Sequence, residues 1–227
     1  MAPERIVIEK RSCILYSCGT PCCLLIQPVG VHELDGLTKE LDTIRKLTDK
    51  PFAYAAFETD DWNRELSPWE AAPVFGKEPF GSGAAATLEY AEKALIPGVA
   101  AKLGLSADIP VIVGGYSLAG LFALWAAYTS EMFAAAAGVS PSVWFPGWQE
   151  FTESRKPCAK SIYLSLGRKE EKTRNKALAA VGDSIRRQHG QLLSQGKDTV
   201  LEWNDGDHFT EPWLRTAKGF AWCINSI

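Results

Sequence analysis

The chain has 227 residues, 46% of them hydrophobic, with eight tryptophans, 24 basic and 27 acidic side chains and a formal net charge of −3. That is enough for one domain with a substantial core, expected to span residues 1–227. The charge balance gives no nucleic-acid footprint, and no apolar run approaches the roughly 18 residues of a membrane span.

The charged start, Met-Ala-Pro-Glu-Arg, lacks the apolar stretch of a secretory signal. The first short β-rich runs are Arg5–Glu9, Cys13–Ser17 and Cys22–Gln27, the first two too close together for a helical crossover. They are expected to pair as an antiparallel hairpin at a sheet edge. Leu34–Lys46 carries apolar residues at helical spacing, and Phe52–Glu58 is a fourth strand. Ala85–Leu103 is a helix that Pro97 kinks or splits. Val111–Gly114, Ala135–Val139, Ser161–Leu166 and Val200–Trp203 complete eight strands.

Between and after these lie a wholly apolar helix, Leu118–Tyr128, a long helix Thr173–Gln195 with Leu178, Val181, Ile185 and Leu192 on one stripe, and a closing helix Glu211–Ile224. Continuous apolar strands alternating with helices predict an α/β fold: a mostly parallel eight-stranded sheet covered on both faces. The six cysteines show no Cys-x-x-Cys spacing. They read as reduced thiols of a cytoplasmic protein, with no metal site and no disulfide framework.

The most informative segment is residues 110–120, Pro-Val-Ile-Val-Gly-Gly-Tyr-Ser-Leu-Ala-Gly. A β-branched run, two glycines, a serine and an apolar helix are how a nucleophilic hydroxyl is mounted on a tight strand-to-helix turn. Gly115 and Ala119 flank Ser117 at minus two and plus two, where a larger side chain would collide across the bend. The helix N-terminus beneath the serine offers free N–H groups to an oxyanion.

A serine nucleophile needs a base and usually an acid to orient it. Of the three histidines, His32 follows a strand and His189 lies within a helix. His208 sits in the polar loop Asn-Asp-Gly-Asp-His-Phe-Thr after the last strand, at the sheet edge that carries the serine. The acid is expected after the seventh strand, where Glu170 and Glu171 are available. Glu170 stands three residues past Gly167 and is preferred, while Asp207 is too near His208 in sequence to face it. The oxyanion donors are expected to be the N–H groups of Leu118 and Val29, since Pro28 has none to give. Trp62 and Trp144, in loops after the fourth and sixth strands, are candidate substrate-pocket walls.

With Gly-Tyr-Ser-Leu-Ala-Gly, Gly-Arg-Lys-Glu and Gly-Asp-His-Phe in this order, the chain resembles the α/β-hydrolase superfamily. More narrowly, it is similar to the esterase branch that includes enterochelin esterase-like and esterase D-like proteins. Residues 61–69, Asp-Trp-Asn-Arg-Glu-Leu-Ser-Pro-Trp, and 138–144, Gly-Val-Ser-Pro-Ser-Val-Trp, carry the same likeness, which runs from about Ile6 to Trp222. The resemblance implies a three-layer α/β-hydrolase sandwich and ester hydrolysis through an acyl-serine intermediate. Ala119 stands where the family usually has glycine, and the acid is Glu rather than Asp. The segment Pro141–Lys160 is too short for a large lid.

The reading is therefore a serine hydrolase acting on a small or medium carboxylic ester or thioester, without cofactor. Ser117, His208 and Glu170 would form its triad. An acyltransferase on the same fold is one alternative, and a catalytically silent binding module is the other.

Overall fold

The computed structural model describes residues 3–74 and 76–227. Eight strands among them form one sheet: β1 (Glu4–Ile8), β2 (Arg11–Ser17), β3 (Leu24–Val29), β4 (Ala53–Glu58), β5 (Val111–Tyr116), β6 (Phe133–Val139), β7 (Ser161–Gly167) and β8 (Asp198–Asn204). Their spatial order is β1-β2-β4-β3-β5-β6-β7-β8. As expected, β1 pairs antiparallel with β2 at the edge. β2 is also antiparallel to β4, and every pairing from β4 to β8 is parallel.

The helices are α1 (Leu37–Leu47), α2 (Trp62–Leu66), α3 (Ala84–Tyr90), α4 (Ile96–Leu103), α5 (Leu118–Thr129), α6 (Trp148–Glu153), α7 (Lys176–Ala179), α8 (Val181–Ser194) and α9 (Pro212–Asn225). β3, β5 and β7 are buried at every position, because helices cover both faces of the sheet. Their side chains alternate with period two. Leu24, Ile26, Val111 and Val113 join the core that contains α3, α4 and α5, whereas Leu25, Ile112 and Tyr116 join the core beneath α1 and α9. α5 is buried from Leu118 to Tyr128, which explains why its sequence carries no polar stripe. No large lid interrupts the sheet: α6 is the one helix between β6 and β7.

Several elements differ from expectation. A 3₁₀ turn, Val31–Gly36, precedes α1, so the predicted start at Leu34 falls in that turn. The helix expected over Ala85–Leu103 is divided into α3 and α4, with the division at residues 91–95, before Pro97. A π-helical turn at Ala91–Leu95 widens the ladder just before the proline, which occupies the first turn of α4, where a missing N–H leaves no bond unmade. The predicted long helix Thr173–Gln195 is two helices. Asn175 stays extended and caps α7 through its side chain, which accepts the N–H groups of Ala177 and Leu178. Val181 joins the core as its place on the stripe predicts, and with the partly exposed Leu178 it also lines a cavity.

The chain leaves β3 for β4 on one side of it and returns to β5 on the other. A crevice opens at the carboxyl ends of strands where the winding reverses in this way. Ser117 stands at that crevice, one residue past β5.

Candidate active site

The turn at Ser117 is strained and held from several directions. Its φ of 59° and ψ of −119° are unusual for a non-glycine residue, and its backbone caps α5. Ser117 N–H donates to the Val139 carbonyl of β6 (3.0 Å), and its carbonyl accepts the N–H groups of Leu121 (3.0 Å) and Ser142 (3.1 Å). A Cβ on Gly115 would lie 2.6 Å from Ala119 Cβ, and one on Gly120 would lie 2.9 Å from the Gly115 carbonyl and 3.0 Å from that of Val139. The small residues are thus steric requirements of the bend. Gly120→Ala presses on backbone that cannot swing away, so it is expected to lower unfolding stability by about 1–3 kcal/mol. Urea denaturation with an unchanged slope checks this.

Three side chains from three loops meet here. His208 Nε2 lies 2.9 Å from Ser117 Oγ, and His208 Nδ1 lies 2.7 Å from Glu170 Oε2. Glu170 is almost fully buried and His208 about one-third exposed. The second oxygen of Glu170 accepts from Gly167 N–H (2.7 Å), Ser140 Oγ (2.8 Å) and Arg215 Nη1 (3.0 Å). Glu171, one residue on, instead pairs with Arg186. Asp207 turns its carboxylate to Phe209 N–H and Thr210 Oγ1, which closes a local turn and leaves His208 to Glu170; the Phe209 bond is the first cause of its lowered pKa. His32 is exposed beside Trp62, and His189 lies on α8.

Arg215 is not among the expected site residues. Its side chain is 2% exposed and reaches two loops at once. Nη1 donates to Glu170, Tyr116 and Ser140, while Nη2 donates to the carbonyls of Asp205 (2.8 Å) and Asp207 (2.9 Å). One planar guanidinium therefore fixes both the acid and the loop that carries the histidine. The Tyr116 hydroxyl donates to the His208 carbonyl at 2.9 Å. Burial, then the Glu170 charge, pushes its pKa up to about 12, so it stays a donor at neutral pH.

Leu118 N–H is the first of α5, with no preceding turn to bond to, and sits directly after Ser117. Val29 does not meet its expectation. Its carbonyl takes Thr59 N–H on the β4 side, and within a strand a residue's N–H points the same way as its C=O. The Val29 N–H therefore faces β4, away from Ser117. The next N–H, of Gly30, donates to Glu33 Oε2.

Two cavities flank the serine. One, of about 410 Å³, is walled by Trp144, Leu178 and Val181, and the other, of about 500 Å³, by Trp62, Trp213 and Gln27. The lining residues they share are Ser117, His208 and Phe209. Trp62 and Trp144, both predicted as pocket walls, thus line different cavities that meet at Ser117.

The larger cavity is lined by two acids, the buried Glu40 and the half-buried Glu33. Burial pushes Glu33 up to about 7 and Glu40 up to about 8, with the Glu33 charge adding to the effect on Glu40. Between the ordinary carboxyl range and those values the folded state holds more protons than the unfolded one, so stability falls as pH rises through that window. Glu40→Gln removes most of this dependence. Relative to the parent, the variant is expected to gain a few kcal/mol between about pH 5 and pH 9, at roughly 1.4 kcal/mol per tenfold change in proton affinity. Urea unfolding at the two pH values measures it.

Among the described residues no group of His, Cys, Asp and Glu could hold a metal ion, no helix is long and apolar enough to cross a membrane, and the six cysteines are unpaired.

The fold is shared with solved hydrolases. Siderophore hydrolase EstA from Aspergillus nidulans superposes with a TM-score of 0.78 at 18% identity, over 99% of this chain and 94% of that one. An IroE-like serine hydrolase from Shewanella oneidensis gives 0.75 at 15% identity, over 97% and 79%. The enterobactin esterase FES from Shigella flexneri gives 0.73 at 19% identity, over all of this chain and 60% of that one. A search of curated protein sequences finds no match. The profile of the family described as "Putative esterase" matches residues 41–216, and the chain belongs to that esterase family within the α/β-hydrolase fold.

Proposed function

We propose that this protein is a serine esterase that cleaves a small or medium carboxylic ester by way of an acyl-serine intermediate. The observation that carries the reading is the hydrogen-bonded series from Ser117 Oγ through His208 to Glu170, with both links under 3 Å. His208 Nε2 takes the hydroxyl proton as Oγ attacks the ester carbonyl, and the resulting imidazolium is stabilised by Glu170. The tetrahedral oxyanion is met by Leu118 N–H and the positive end of α5. His208 then protonates the departing alcohol as its C–O bond breaks. Water, deprotonated by the same nitrogen, releases the acid and restores Ser117.

Cavities on both sides of the hydroxyl and the short β6–β7 connection leave room for a bulky ester. EstA is a siderophore hydrolase and FES an enterobactin esterase, so siderophore and enterobactin esters belong in the substrate panel beside simple acyl esters. A fluorophosphonate probe is expected to modify Ser117 alone in the folded protein near neutral pH, and peptide mapping reads the site. Folded protein that stays unmodified overturns the proposal. Product analysis with an added alcohol separates hydrolysis from acyl transfer.

A further inference from the structure

The turn that follows β6 grips both ends of the Ser117–His208–Glu170 series. The Val139 carbonyl accepts Ser117 N–H at 3.0 Å, and Ser142 N–H donates to the Ser117 carbonyl at 3.1 Å. Between these two residues, Ser140 Oγ donates to Glu170 Oε1 at 2.8 Å. Ser140 is 1% exposed, and its N–H donates to the Ser165 carbonyl of β7 at 3.0 Å.

The backbone at Ser140 is strained. Its φ is 41°, in the left-handed region that side chains disfavour, and the following Pro141 disfavours the right-handed alternative. Glycine would hold this conformation without steric penalty. What serine supplies there, and glycine cannot, is the hydroxyl. That hydroxyl has one proton to give, and its neighbours decide where the proton goes. Arg215 Nη1, at 3.3 Å, can only donate to it. The proton of Ser140 is therefore left for Glu170.

A glutamate is one methylene longer than an aspartate and has one more torsion to fix. Three donors from three segments fix it here through Oε1: Gly167 N–H, Arg215 Nη1 and Ser140 Oγ. Oε2 is then left to face His208 Nδ1 at 2.7 Å. Of the three donors, the Ser140 hydroxyl is the one carried on the turn that also holds Ser117.

We infer that Ser140 is a positioning residue: its hydroxyl, on the turn that anchors Ser117, sets the orientation of the Glu170 carboxylate toward His208. The inference rests on the esterase reading for its effect on turnover, and not for the geometry of the His208–Glu170 hydrogen bond.

Ser140→Gly removes the hydroxyl and relieves the backbone, whereas Ser140→Ala removes the hydroxyl alone. Both are expected to lower kcat for p-nitrophenyl butyrate by about tenfold to a hundredfold with KM unchanged, the effect of one hydrogen bond to a charged group. Nitrogen NMR on isotope-labelled histidine reads His208 Nδ1 with no need of turnover, and its signal is expected to move in both variants. Wild-type kcat in Ser140→Gly overturns the inference even where Ser140→Ala is impaired, because the backbone and not the hydroxyl would then matter. A rise in KM at constant kcat overturns it too, since the hydroxyl would then be touching substrate. A wild type that cleaves no ester, with a signal that moves in the variants, defeats the esterase reading and leaves the positioning role standing. Ester cleavage by the wild type, with signal and kcat unchanged in both variants, does the reverse.

Discussion

Ser117→Ala is expected to lower kcat for p-nitrophenyl ester hydrolysis by about 10⁴–10⁶-fold while leaving the fold and the thermal midpoint near those of the parent. The size of the loss follows from the geometry. Ser117 Oγ is the atom that His208 Nε2 addresses at 2.9 Å, and alanine leaves no nucleophile in the elbow. Some rate over water should survive, because Leu118 N–H and the two cavities are untouched. His208→Ala is expected to cost a similar factor, and the Ser117/His208 double variant little more than either single one, since the two act as a unit. Steady-state kinetics on purified, folded variants settles the point. A Ser117→Ala protein with wild-type turnover would show that the reaction runs elsewhere.

Arg215→Met is expected to cost about 3–5 kcal/mol of stability, because it leaves the Glu170 carboxylate buried without its counter-charge. Both side chains are nearly sealed from water, at 2% and 5% exposure. The same change frees the carbonyls of Asp205 and Asp207, so the loop carrying His208 loses its anchor and turnover should fall along with stability. Arg215→Lys retains the charge but not the planar two-pronged reach. It is expected to recover part of the stability and less of the activity. Combining Arg215→Met with Glu170→Gln should cost less stability than the sum of the single changes, since no unpaired charge then stays buried. Chemical denaturation of the four proteins measures this coupling.

Much of the architecture is legible in residue order because strands and helices differ in period. Runs such as Leu24–Ile26 and Val111–Val113 are apolar at every position, which marks strands covered on both faces. The glycine-flanked Ser117 marks the reversal of direction into α5, and the polar loop after β8 supplies His208 at the same sheet edge. What stayed hidden depends on arrangement in space. Arg215 reads as one more helix charge until the Glu170 loop, the His208 loop and Tyr116 are brought around it. Helical position does not single it out either, since Lys218 lies one turn on along the same side of α9 and is only partly buried. Val29 failed as a donor on strand parity: which neighbour its amide faces depends on β4 lying beyond β3, and chain order does not reveal that. Asn175 looked like helix interior because a cap and a mid-helix polar residue are the same letter.

The paired chambers around Ser117 have a consequence for traffic. They meet at the nucleophile, where Ser117, His208 and the largely exposed Phe209 line both. On the proposed mechanism, an ester held at Ser117 has one chamber for its acyl part and the other for its alcohol part. On that mechanism the alcohol leaves its own chamber while the acyl group stays on the serine, and the space it vacates admits water.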